Sequence, residues 1–228
     1  MNDNEPVWSR RETLIRLAAS GMVGAGGFAG LVRAALAADP RQGLRDLKGS
    51  VTIDGKPAAP GQMVKPGQKV VTGEDGEAVF VVGKDAFLQR ANSEFVIEHG
   101  AGVAVLRYLT GKVLSVFGKG RKTLAVPTAT IGIRGTACYI EARQEETYFC
   151  LCYGTAIVTP SGAAQERATI RTRHHDHPIT IGKAAGSTMM ADAKVINHTD
   201  DELIMLEALV GRKPPFYGRI TERDYYRE

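Results

Sequence analysis

The side chains best equipped for chemistry are thiols and imidazoles. Cys150 and Cys152 stand two positions apart in Phe149-Cys150-Leu151-Cys152, and Arg173-His174-His175-Asp176-His177-Pro178 follows downstream. Soft thiolates with imidazoles are the ligand set of zinc, copper and iron–sulfur sites. Two cysteines at i and i+2 share one face of a strand. With two histidines from a later loop they could close a tetrahedral site, although the spacing is not that of a CxxC finger. His174 and His175 are the favoured partners, because His177 precedes Pro178 and is held extended. Cys138 completes the cysteine inventory. The competing reading makes the cysteines core residues and the histidine run a solvated turn. For Cys138 alone the core reading is preferred. His99 and His198 read as lone turn residues without a role. A direct Cys150–Cys152 disulfide would be strained, since a strand holds i and i+2 Cα atoms roughly 6.5–7 Å apart. Three cysteines leave one over in any disulfide scheme, which points to a free thiol or a ligand.

The elements that position these groups read as strands. Val126 to Val158 is a run of consecutive β-segments that contains every cysteine. Upstream, Asp54-Gly55 marks a hairpin, and Pro60-Gly61 and Pro66-Gly67 break any helix. Apolar segments at Val70–Thr72, Glu77–Val82, Ala86–Arg90, Ser93–Glu98, Val103–Leu109, Lys112–Phe117 and Ala168–Thr172 are separated by glycine turns. This pattern predicts an all-β fold of short strands: a sandwich, a roll or a solenoid. One C-terminal amphipathic helix is predicted over 199–211. Thr199 caps it, Asp200, Asp201 and Glu202 suit its positive end, and Leu203, Leu206, Leu209 and Val210 form its apolar face. Gly211 and Pro214-Pro215 stop it. Phe216, Tyr217, Tyr225 and Tyr226 are then available to pack on the sheet.

The composition is that of a soluble globular chain, with 43% hydrophobic and 24% charged residues and a net charge of +4. No Lys/Arg stripe with interleaved aromatics is present, so the sequence does not support a nucleic-acid partner, and none is expected. The basic run Lys112 to Lys122 reads as a solvated turn. Near the start, Ser9-Arg10-Arg11-Glu12-Thr13-Leu14-Ile15 resembles the twin-arginine export consensus. A Gly/Ala-rich apolar run and Ala35-Leu36-Ala37 follow, an A-x-A cleavage pattern. Residues 1–37 are therefore predicted to be a signal peptide read by the twin-arginine export machinery. The chain would be delivered folded to the periplasm, with no spanning helix in the mature protein. That route suits proteins loaded with a metal before export.

Two further segments carry a resemblance. Pro66-Gly67-Gln68-Lys69-Val70-Val71-Thr72-Gly73 and Ile133-Arg134-Gly135-Thr136 resemble the two signatures of the FecR-domain family, named for ferric citrate regulation, over about Gly49 to Val158. The resemblance implies an exported β domain that senses or scaffolds, with Gly73, Arg134, Gly135 and Thr136 as its motif residues. It also implies that Phe149 and Leu151 face inward and that Gly154 ends the strand. Cys150 and Cys152 would then point to the opposite face, and Cys138 to the packed one. Tyr153 stands where the family usually has an acidic residue. The expected plan is a signal peptide at 1–37, a polar lead-in at 38–48, a FecR-like domain at 49–182 and an extension with the helix at 183–228.

No G-x-S-x-G, phosphate loop or dinucleotide fingerprint is present, and Glu145-Glu146 and Asp200-Asp201 fall in a turn and a helix cap. The expectation is therefore a non-enzymatic binding, sensory or scaffolding domain. It would hold zinc, iron or an iron–sulfur cluster through the Cys/His residues and have a cell-envelope protein as partner. One alternative is a membrane-associated regulator of iron-responsive signalling without its own anti-sigma segment, as only a few residues precede the arginine pair. Others are a small periplasmic redox metalloenzyme and a purely structural envelope protein.

Overall fold

The computed structural model describes residues 42–99, 103–183 and 189–218. The segment expected to be a signal peptide, with Arg10 and Arg11, and the tail tyrosines Tyr225 and Tyr226 lie outside the described residues. The strands are β1 (Gly43–Lys48), β2 (Val51–Ile53), β3 (Lys56–Pro57), β4 (Lys69–Thr72), β5 (Glu77–Val82), β6 (Asp85–Gln89), β7 (Ser93–His99) and β8 (Ala104–Val116). They continue with β9 (Arg121–Val126), β10 (Ala129–Arg134), β11 (Ala137–Ala142), β12 (Glu146–Pro160), β13 (Ala168–Thr172), β14 (Ile179–Gly182) and β15 (Met190–Asp192). The helix α1 spans Asp200–Leu209.

The strands form two sheets. The first runs β1-β5-β6-β8-β11-β12-β14-β15. The second runs β3-β2-β4-β7-β8-β9-β10-β12-β13. The long strands β8 and β12 belong to both, entering one sheet with one half and the other sheet with the other half. Between β8 and β9 the chain crosses to the first sheet and back, which is why that one pair is parallel. The expected all-β architecture with one C-terminal helix is the one adopted, as a sandwich.

Three boundaries differ from the sequence reading. Residues 43–48, read as lead-in, are strand β1, because Leu44 drops into the core despite its polar neighbours. Lys112 to Lys122 is not simply a solvated turn: Val113, Leu114, Val116 and Phe117 are buried, and only the tip near Gly118–Gly120 is a turn. The helix is shorter than 199–211, with Thr199 as its N-cap and Val210 as its C-cap.

Two apolar layers result. Between the sheets, Phe80 stacks on Phe87, and Phe95 and Tyr108 continue the row at a tilt, with successive centroid spacings of 5.0, 5.0 and 4.9 Å. Ile140, Phe149, Leu151 and Cys138 join this inner core. A second layer lies on the outer face of the first sheet. There Val79, Val81, Leu88, Leu114, Tyr139, Cys150 and Cys152 are covered by Leu203, Met205 and Leu206 of α1 and by Phe216.

The Ile133–Thr136 signature is a corner between sheets. Gly135 has φ +58°, a conformation open to glycine at little cost. The Thr136 carbonyl accepts from the Phe117 N–H at 2.8 Å. Opposite it, Gly154 has φ +107°, and a Cβ there would lie 2.5 Å from Thr136 Cγ2. Gly73 builds a second corner, donating its N–H to the Ser50 carbonyl at 2.8 Å and accepting from the Asn92 N–H at 3.0 Å. Arg134 is exposed and takes no part in the corner.

Candidate metal centre

β12 sets the two thiols. Alternation places Phe149 and Leu151 in the inner core and Cys150 and Cys152 on the opposite face, and pairing with β11 and β14 on either side holds that register. That face is not open to solvent. Both sulfur-bearing residues are fully buried beneath α1 and the segment leading into it.

The turn between β13 and β14 supplies the first imidazole. The Asp176 carboxylate accepts from Thr172 Oγ1 at 2.8 Å and from the Arg173 N–H at 2.9 Å, closing the turn on itself. His175 takes the left-handed conformation, φ +52°, and its N–H donates to the Cys152 carbonyl at 3.0 Å. This folds the ring over the thiols.

The segment before α1 supplies the second. His198 stacks on Tyr139 with ring centroids 4.6 Å apart and planes at 21°. Asn197 Nδ2 donates to Glu141 Oε1 at 2.6 Å, Tyr139 Oη donates to the same oxygen at 2.9 Å, and Arg90 donates to the Asn197 carbonyl at 2.9 Å. Tyr148 Oη donates to the Lys194 carbonyl at 2.9 Å. The helix is anchored nearby by a capping box between Thr199 and Glu202. Further along, Glu207 accepts from Tyr153 Oη and, at 2.6 Å, from Arg212 Nε. Tyr153 thus faces the helix end.

Four donor atoms converge: Cys150 Sγ, Cys152 Sγ, His175 Nδ1 and His198 Nε2 all lie within 4.8 Å of one another. His175 Nδ1 is 3.4 Å from Cys150 Sγ and 3.1 Å from His198 Nε2. The far side of each ring is committed. His198 Nδ1 lies 2.7 Å from the Ile196 carbonyl, which can only accept, so that nitrogen carries the proton. His175 Nε2 faces the Asp200 carboxylate at 3.1 Å. In neutral rings the two facing nitrogens therefore present lone pairs to each other, and they require a cation between them: a proton or a metal ion. A ring N–H given to a carbonyl or carboxylate is the usual support behind a histidine ligand.

The spacing suits a single ion. Zn–S bonds of about 2.3 Å and Zn–N bonds of about 2.0–2.1 Å in a tetrahedron separate two nitrogens by about 3.3 Å and a nitrogen from a sulfur by about 3.5 Å. The observed 3.1 Å and 3.4 Å need only small adjustment. A two-iron cluster divides its ligands between separated metals, and four donors so close together do not suit it.

The electrostatics favour a thiolate. A hydrogen bond from the Cys152 thiol, reinforced by His175 and His198 and opposed by burial, holds the Cys150 thiol well below the ordinary value. Burial pushes Cys152 well up, and the charge on Cys150 adds to it. For His175, burial opposes charge, but hydrogen bonds to Asp200 and Cys150 outweigh it and raise the ring to about 9. Asp200 is held below the usual carboxylate range: burial opposes this, and His175 and His174 overcome it.

Of the residues expected at the site, Cys150, Cys152 and His175 come together. His174 belongs to a neighbouring group, with Nε2 at 2.8 Å and 2.9 Å from the two Asp200 oxygens, and does not reach the thiols. His177 is exposed. Cys138 faces the inner core, across the sheet from the other two cysteines, and burial raises its thiol well above the ordinary value. His198, read as a lone turn residue, occupies the fourth position instead. Asp200, read only as a helix-end charge, supports His175. A histidine directly before a capping box carries no local mark of such a role.

No family model matches the chain, and no curated protein matches it. Among solved structures, two crystal structures of a candidate anti-sigma factor from Parabacteroides distasonis, at 1.65 and 2.50 Å resolution, are similar to it. Each has a TM-score of 0.46 and 9% identity, over 55% of this chain and 58% of that one. The similarity thus spans a little over half the length of either protein. Among the described residues no helix is long and apolar enough to cross a membrane.

Proposed function

We propose that this chain is a binding domain of FecR type in which one zinc-like ion, held by Cys150, Cys152, His175 and His198, fastens the C-terminal segment to the sheet. The observation that carries this reading is the pair of imidazole nitrogens 3.1 Å apart, each with its other nitrogen already engaged. Three ligands belong to the sandwich and one to the segment that leads into α1, so the ion closes the cap over the second apolar layer. Four protein ligands and full burial of the thiols leave no open coordination position, which supports a structural or sensory role over catalysis. Export by the twin-arginine route to the periplasm, and a cell-envelope partner, belong to the same proposal and rest on the N-terminal pattern alone.

A second reading draws on the order Cys150–His175–Asp200, which is that of a thiol nucleophile, its base and an orienting carboxylate. The absence of exposed surface on Cys150 weighs against it. Elemental analysis of natively exported protein separates the two readings. One equivalent of zinc or a similar ion, lost in Cys150→Ser/Cys152→Ser, is expected. Absence of metal with rapid alkylation of Cys150 in the folded protein would favour the nucleophile instead.

A further inference from the structure

The outer face of the second sheet is charged differently in its two halves. On β4, β7 and β8, cations stand beside carboxylates: Lys69 with Glu94 at 3.2 Å and Arg107 with Glu98 at 2.8 Å. On β9, β10 and β13, Arg121, Arg134 and Arg171 are exposed, and among the described residues none of the three has an ion-pair partner. Arg121 and Arg134 are direct cross-strand neighbours. Like charges directly opposite destabilise a sheet, so this pairing does not serve the fold. Arg171 is paired with Thr155, which lies beside Arg134, one step beyond the Ile133–Ala156 pair. The three arginines thus share one row across four strands, roughly 5 Å and then roughly 10 Å apart at the strand spacing of a sheet.

We infer that this row is a binding surface for an anionic polysaccharide, a linear polymer that presents carboxylates at regular intervals. Guanidinium groups pair with carboxylates in a two-point fork. Thr123, Thr155 and Thr169 lie among the arginines as partly or fully exposed residues, suited to a hydroxyl-rich chain. A protein interface draws most of its energy from large apolar or aromatic anchors. None of the exposed large hydrophobic residues among the described residues lies on β9, β10, β12 or β13. Arg134, the one residue of the Ile133–Thr136 signature with no part in the corner, gains a purpose on this face.

The test is binding of polygalacturonate and of neutral dextran to the full chain by titration calorimetry, at low and high salt. Arg134→Gln/Arg171→Gln is the test variant, and Arg107→Gln, from the paired half, is the control. Thermal melts confirm that each variant folds. Polygalacturonate is expected to bind and dextran not, with at least about tenfold weaker binding in the double variant, little change in the control, and loss at high salt. Absence of polygalacturonate binding, or equal binding by both variants, would overturn the inference. So would tighter binding to anionic lipid vesicles, to an oligonucleotide or to an acidic peptide.

Discussion

Zinc should stabilise the folded chain by an amount set by mass action. An ion that binds only the native state, at a free concentration a hundredfold above its Kd, contributes about 2.7 kcal/mol. A chain of 228 residues shifts its Tm by about 2–4 °C per kcal/mol, so the melt should rise by about 5–11 °C between chelator and zinc buffer. The assay is a thermal melt in metal-buffered solution, repeated with His198→Gln. That substitution removes the only ligand contributed by the capping segment. The zinc-dependent shift should shrink to a small fraction of its original size, while His177→Ala, altering an exposed histidine, should keep all of it. The shift is the relevant quantity, because His198→Gln also loses the stacking on Tyr139 and will lower Tm by itself. Amide exchange in α1 should slow on adding zinc if the ion closes the cap. A full shift in His198→Gln would refute the assignment and move attention to the His174, His175 and Asp200 group.

Further outcomes follow from other parts of the structure. Zinc binding at pH 7 should release about two protons, since a ligand must bind deprotonated. Hydrogen bonding holds the Cys150 thiol low, whereas Cys152 is pushed up by burial and His175 is raised to about 9. Affinity should accordingly rise with pH through neutrality, and calorimetry in buffers of different ionisation enthalpy counts the protons. In the ion-free protein, His175 contributes stability that is fully present below the ordinary histidine value and lost as pH rises through about 9; denaturant midpoints across pH 6–10 with chelator check that sign. Gly154→Ala should cost about 2–4 kcal/mol, because its Cβ would strike Thr136 Cγ2 at 2.5 Å and φ is +107°, a combination of overpacking and backbone strain; urea unfolding measures it. Tyr153→Phe removes a donor to the buried Glu207 and should cost about 1–3 kcal/mol by the same method.

The sequence by itself determined what local geometry can determine. Period-two alternation along Phe149-Cys150-Leu151-Cys152 puts both thiols on one face. That follows from the pleat, whatever the sheet packs against. Thr199 and Glu202 specify a capping box through contacts three residues apart, and glycine turns mark most strand ends. The Gly135 corner was visible as a motif, but its cause, the close approach of Gly154 to Thr136, joins residues that only the folded chain makes neighbours.

Only the tertiary structure decided what lies over the thiols. The adjacent pair His174-His175 offers two imidazoles, but a turn closed by Asp176 sends one toward the sulfurs and the other toward Asp200. His198 reaches the site because Glu141 and Arg90 hold Asn197, and Tyr139 stacks on the ring, contacts between residues more than fifty positions apart. Such long-range convergence leaves no periodicity in the sequence. The same is true of the arginine row, which comes from three strands and exists only once their register is set.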